Sequence, residues 1–203
     1  MKNKIILIGY SGHAFVIQDI FTSLNRNVFA YCDAVQKEYN PFSLTYLENE
    51  NQSLSELEKN DFFISIGDNS IRKKIYNNLA EQNLFPINAI HANSIISTFA
   101  EIQPHGVMVG AGCIINPLAI IGNGVICNTG SMIEHECIIQ DFAHIGPGAI
   151  LCGNVFVGEN SFVGAGAVIR QGIKIGKNVM VGAGAVVVKD VTDNTTVMGC
   201  PAK

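Results

Sequence analysis

Residues 109 to 150 read VGAGCI INPLAI IGNGVI CNTGSM IEHECI IQDFAH IGPGAI, and this stretch decides the fold. Stepping by six from Val109 meets Ile115, Ile121, Cys127, Ile133, Ile139, Ile145, Leu151, Val157, Val163, Ile169, Ile175, Val181 and Val187, all of them apolar. With 48% of the chain hydrophobic, an unbroken run of that length would arise by chance in roughly 3 of 100,000 registers, so the spacing is a repeat. Four residues after each anchor stands another small or apolar residue, among them Cys113, Ala119, Val125, Ser131, Cys137, Ala143 and Ala149, and Gly often follows the anchor. Each unit therefore supplies two inward positions and a turn. Six matches neither the helical 3.6 nor the strand period of two. It is the hexapeptide period of a parallel β-helix, whose coils stack around a continuous column of side chains. A β-sandwich would not hold one spacing through so many strands.

Working outward, Ile90, Ile96, Ile102 and Met108 keep the same spacing one residue out of phase, and a one-residue slip between Pro104 and Val107 would join the two registers. Before residue 86 the pattern changes. The run KIILI at 4 to 8, the turn Gly9-Tyr10-Ser11-Gly12-His13, and then Phe15, Val16, Ile20, Phe21 and Leu24 read as strand, glycine turn and helix. Val28 to Cys32 is a second strand ending at Asp33. Asp61 to Ile66 is a third, followed by Gly67-Asp68-Asn69 and a helix through IRKKIYNNL. The polar segment 36 to 60 is expected to form a loop with a short helix. The chain thus divides into a small α/β unit at 1–85 and a β-helix at 86–203. Parallel α/β sheets bind ligands at the carboxyl ends of their strands, here the loops at Gly9 to His13, Asp33 and Gly67 to Asn69. A glycine turn before a helix can hold a phosphate through backbone N–H groups, although Gly9 and Gly12 fall short of a full dinucleotide fingerprint and a plain structural turn would read the same way.

Composition narrows the function classes. Charged residues make up 15% of the chain and the net charge is -4, so no broad basic surface invites nucleic acid. The first apolar run spans only five residues, too short for a signal-peptide core or a membrane span, so it reads as a buried strand of a cytoplasmic protein. Six cysteines show no C-x-x-C pair or metal-ligand spacing and are expected to be reduced, packed thiols.

The two halves together resemble the bacterial sugar acetyltransferases that join a small Rossmann-like domain to a left-handed β-helix. That family includes sialic acid O-acetyltransferases and UDP-4-amino-sugar N-acetyltransferases, and the likeness is greatest to the latter. It is carried by GYSGHA at 9 to 14, FFISIGDNSIRKKIY at 62 to 76, NTGSMIEHECIIQDFAHIGPGA at 128 to 149 and GCPAK at 199 to 203. The resemblance implies His135 as general base with Glu136 orienting it, and sugar contacts at Asn128 and Glu134. It places Ser11, Gly12, His13 and Asp33 on the nucleotide sugar. His144 falls near the acetyl thioester, the backbone at Gly153, Ala165 and Ala183 along the pantetheine arm, and Lys203 at the CoA phosphates. Acetyl-CoA is the implied cosubstrate, without a metal, and a homotrimer with shared sites the implied assembly. This chain departs from the family at Tyr10, Ala14, Gln140 and Gly146, where Ala, Gly, Gly and Ser are common.

The chemistry suits these residue types. Acetyl transfer from a thioester needs a nucleophile relieved of its proton as it attacks, and histidine, with an ordinary pKa of about 6.5, titrates near working pH. An adjacent carboxylate fixes the ring tautomer and stabilises the imidazolium, a role open to either Glu134 or Glu136. Cys137 sits at an inward repeat position and is not needed as a nucleophile. Structural roles compete at several positions: Asn128 suits a turn, His13 suits a helix cap, and His91 and His105 read as surface residues. A zinc hydratase would need three converging histidines, and a non-catalytic scaffold would have no use for Glu-His-Glu.

Overall fold

The computed structural model describes residues 4–203. The front unit is a four-stranded parallel sheet ordered β3-β2-β1-β4, from β1 (Ile5–Ile8), β2 (Val28–Cys32), β3 (Thr45–Tyr46) and β4 (Asp61–Ile64). Its β1 is buried throughout, as a continuous apolar run requires in a sheet covered on both faces. Helix α1 (Gly12–Ser23) packs Ala14, Ile17, Ile20 and Phe21 inward, and α3 (Asn69–Ala80) begins at Asp68, whose side chain accepts from the Ile71 amide. Segment 36 to 60 is more ordered than expected. Besides the short helix α2 (Leu54–Leu57) it contributes β3, because the backbone from Thr45 to Tyr46 finds a free edge on β2. The third strand ends at Ile64 rather than Ile66.

From Ala89 onward two-residue strands alternate with four-residue turns around a three-sided left-handed coil, in sheets of seven, six and five strands. The first face carries Ala89–Ile90, Met108–Val109, Ile126–Cys127, His144–Ile145, Phe162–Val163, Met180–Val181 and Thr196–Val197. The second carries Ile114–Ile115, Met132–Ile133 and Ile150–Leu151 in its middle, and the third Ile120–Ile121, Ile138–Ile139 and Phe156–Val157. The second residue of each pair points inward, so the anchors Val109 to Val187 form one buried column with Cys113, Ala119, Ala143 and their equivalents. Pairing across coils runs from Ile90 to Val109 and then from Cys127 to Ile145. The first coil therefore takes one residue more than those that follow it up to Val181, and the added residue lies in the turn before Met108, where the slip was expected. Met108 itself is not an anchor. It faces outward and packs with Ala89 and Ile126 into the core of the front unit.

The front unit covers the first face. Ala89, Met108, Ile126 and His144 are buried beneath it, while Met180, beyond its reach, is exposed. No helix among the described residues is long and apolar enough to cross a membrane. All six cysteines are free thiols, four of them buried.

Candidate active site

Most turns of the coil hold one residue with left-handed backbone, and this chain mostly uses Gly or Asn there, as at Gly130, Gly148, Asn154, Asn160 and Gly166. Glu136 breaks the rule with φ 61°, as Leu118 and Phe142 do with φ 65° and 58°. A non-glycine side chain in that region is uncommon and strain of this kind gathers at functional sites. The strained turn lies on the edge between the second and third faces and presents His135 and Glu136 to solvent, with side chains 52% and 57% exposed. His135 Nδ1 lies 3.0 Å from Glu136 Oε2, so Glu136 is the carboxylate that holds the ring. Glu134 points elsewhere and accepts from Asn116 Nδ2 at 2.9 Å, one coil away. Gly153, the equivalent position on the next coil, stacks against the His135 ring. A Cβ there would lie 2.5 Å from Nε2, so glycine is what lets the ring lie flat on the edge. Behind the edge, Cys137 faces inward, donates to the Cys152 carbonyl at 3.2 Å, and has its thiol pushed up to about 11 by burial.

A second cluster forms under the front unit. Asn128 Oδ1 accepts from the Thr129 amide at 2.8 Å, which turns its Nδ2 toward His144 Nε2, 3.0 Å away. His144 packs edge-on to Phe162, and the His13 ring stands 6.3 Å from it. Burial, and then the charge of Arg72, lower His13 to about 4, and the same causes followed by His13 itself lower His144 to about 3. Both rings are neutral at pH 7. His13 does not cap its helix. It sits one residue inside α1, behind Ser11 and Gly12, which are exposed at the helix start.

Asp33 organises the glycine turn, accepting from the Tyr10 and Ala34 amides at 2.9 and 2.8 Å and pairing with Lys37 at 2.9 Å. The unusual Tyr10 is buried, stacked on Tyr31 with ring centroids 4.2 Å apart. Ala165 and Ala183 are exposed on the edge between the first and second faces, in the position that Thr129 holds two and three coils earlier. Lys203 reaches the foot of that edge by pairing its backbone with Met198.

The expected site residues therefore fall into two groups. His135, Glu136, Glu134 and Gly153 share one edge. Ser11, Gly12, His13, Asp33, Asn128 and His144 gather at the covered face, with Ala165, Ala183 and Lys203 along its border. Two readings need correction. His91 is buried rather than at the surface, its Nδ1 accepting from the Asn93 amide at 3.0 Å as it closes the first coil against α1, and His105 is half-buried, stacked on Phe85. Arg72 and Asn116 were not among the expected residues, and Asn69 was expected only as part of the loop at Gly67 to Asn69. Among those described, no three His, Cys, Asp or Glu side chains gather as a metal site would need.

Residues 4–79 match the PglD N-terminal domain family and residues 154–189 the bacterial transferase hexapeptide family. The acetyltransferase domain of PglB from Neisseria gonorrhoeae FA1090, solved with acetyl coenzyme A, is 32% identical over 100% of this chain and 99% of its own, with TM-score 0.93. The chain belongs to this family of acetyl-CoA-dependent sugar acetyltransferases. Perosamine N-acetyltransferase from Caulobacter crescentus is 33% identical over 98% of this chain and 95% of its own, with TM-score 0.93, and was solved with CoA and GDP-perosamine in a form with one histidine replaced by asparagine. WeeI from Acinetobacter baumannii AYE is 26% identical over 98% of both chains, with TM-score 0.78. In this family the front unit and the coil occur together, so the two clusters above belong to one architecture.

Proposed function

We propose that the protein transfers the acetyl group of acetyl-CoA to the 4-amino group of a UDP-linked amino-deoxysugar, with His135 as general base. The observation that carries this reading is the His135–Glu136 pair on its strained, exposed edge. The sugar amine attacks the thioester carbonyl, its proton passes to His135, and the carbon–sulfur bond breaks to release CoA, with Glu136 stabilising the imidazolium. An acyl-enzyme on Cys137 is disfavoured, because that thiol is inward and protonated. In this reading residues 1–85 bind the nucleotide sugar through Ser11, Gly12, His13 and Asp33, with Asn128 and Glu134 at the sugar. Residues 86–203 form the catalytic domain, in which His144, Gly153, Ala165, Ala183 and Lys203 line the CoA path. Exposed Ala165 and Ala183 suit a thin pantetheine chain, since their small side chains leave backbone groups within reach.

The same geometry supports a homotrimer. In a three-sided coil the edge bearing His135 lies opposite the first face, which the front unit covers, so one subunit's base meets the front-unit cluster of another rather than its own. Ile95, Phe99 and Leu118 are 65%, 71% and 60% exposed on and beside the His135 edge, a surface suited to burial by a second copy. A GDP-linked acceptor is the second reading, favoured by the complex of the perosamine enzyme with GDP-perosamine. The test is CoA release on UDP-, GDP- and dTDP-4-amino-sugars and free sialic acid, together with mixing of His135→Ala and Asn128→Ala subunits. Turnover on a UDP-4-amino-sugar, and its return in the mixture, is the expected result. Turnover on the GDP-sugar alone would overturn the nucleotide assignment, and a mixture that stays inactive would overturn the shared site.

A further inference from the structure

Arg72 is 1% exposed and contacts no carboxylate. All five of its N–H groups are nevertheless used. Nε donates to the Gly124 carbonyl at 2.8 Å, Nη1 to the Ile66 and Gly67 carbonyls at 3.1 Å each, and Nη2 to Asn69 Oδ1 at 2.8 Å and the Phe142 carbonyl at 2.9 Å. Asn69 in turn donates Nδ2 to the Asn160 and Ser161 carbonyls at 3.1 and 3.2 Å. A lysine, with three donors and no planar fork, could not make this set of bonds.

The Gly67 carbonyl that Arg72 holds also faces His144 Nδ1 at 3.4 Å. Donor and acceptor logic then fixes the ring. Asn128 Oδ1 is spent on the Thr129 amide, so its Nδ2 must donate to His144 Nε2, and the single ring proton must sit on Nδ1, aimed at Gly67. A doubly protonated ring would set N–H against N–H at Asn128.

We propose that Arg72 is a positioning residue of the acceptor site: by clamping the Gly67 carbonyl against His144 it sets the imidazole tautomer and, through it, the direction of the Asn128 amide. The assignment of Asn128 to the acceptor rests on the function proposed above, whereas the tautomer does not. The charges facing His144 act in the same direction. From α1 comes neutral His13, from α3 the Arg72 cation, and behind that cation Asp68 partly offsets it; burial comes first and Arg72 second among the causes that keep His144 neutral.

The first test is made on the unaltered protein. Nitrogen-15 shifts of the histidine rings, with His144 assigned by its loss in His144→Asn, should place the proton on Nδ1 from pH 8 to pH 5. A proton on Nε2 would overturn the proposal, and needs no turnover to be seen. The second test compares Arg72→Lys and Arg72→Gln. In both the ring should become a mixture of tautomers, and kcat/KM for the acceptor should fall about tenfold or more. Folded variants in which His144 keeps a single Nδ1–H tautomer, or in which kcat/KM for the acceptor is unchanged, would overturn it. Absence of turnover in the unaltered protein would instead count against the function proposed above.

Discussion

Two histidines nine residues apart on one coil show how differently a fold can treat the same side chain. His135 stands half in solvent on a free edge, its ring shared only with Glu136 and the flat back of Gly153. His144 is 6% exposed under a second structural unit, with each ring nitrogen facing a defined partner. In the function proposed above, the exposed ring is the one that takes the proton of the attacking amine. The buried ring is held in one protonation state and serves as a fixed hydrogen-bonding surface. Chemistry near working pH needs the first environment, and recognition gains from the second.

The largest effect that would sharpen this contrast is loss of the exposed ring. His135→Ala should cut CoA release by about a hundredfold to ten-thousandfold while leaving the thermal midpoint within a degree or two, because nothing in the core touches it. Equal destabilisation and inactivity would break the comparison.

For the buried pair the expected effect is on stability. His13 and His144 have folded pKa values of about 4 and about 3, below the ordinary 6.5, so the unfolded chain binds protons in this window that the folded chain refuses. The stability these rings contribute is complete above pH 6.5 and is lost as pH falls. Each pH unit below 6.5 should cost up to about 1.4 kcal/mol per histidine, or up to about 4 kcal/mol at pH 5 for the two. Urea midpoints at pH 7 and pH 5 measure this, and the His144→Asn variant should show a shallower dependence.

Gly153→Ala probes the seat of the exposed ring. The added methyl collides with His135, so turnover should fall about a hundredfold through displacement of the proposed base, with little change in the midpoint. Glu136→Gly should separate stability from activity most clearly. Relief of the left-handed strain, offset in part by the flexibility of glycine, is worth about 1 kcal/mol of added stability, whereas turnover should drop about tenfold. A variant both less stable and less active would show that Glu136 carries no strain.

The coil was fully legible in the sequence because inward positions recur every six residues and no other core needs that spacing. The outward columns were not. Residues preceding the anchors are apolar on all three faces, as Met108 and Ile126, Ile114 and Met132, and Ile120 and Ile138 illustrate, so periodicity alone does not reveal which face is covered. His135 and Glu136 were legible through their flanking carboxylates and the family resemblance. Arg72 was hidden in the helix IRKKIYNNL, where three successive cations give no sign of which one is buried. A helical count held the signal: Asn69, Arg72, Tyr76 and Leu79 share one face of α3, and that face ends in a buried leucine. His91 reads as exposed in the sequence because its burial depends on α1, far away along the chain.

A coil is also a ladder, with the same carbonyl offered at every rung. Gly124, Phe142 and Asn160 sit one coil apart on the edge between the third and first faces and are the rungs that Arg72 and Asn69 grip. On backbone alone, docking one rung lower, a step of about 4.8 Å, would look nearly the same. That slip would carry His13 from His144 to Phe162. What denies it are the few side chains that do not repeat: the Phe142 ring, lodged against Tyr76 in the space left by Gly124, fits at one rung only. A handful of aperiodic residues thus gives a uniform surface a single address.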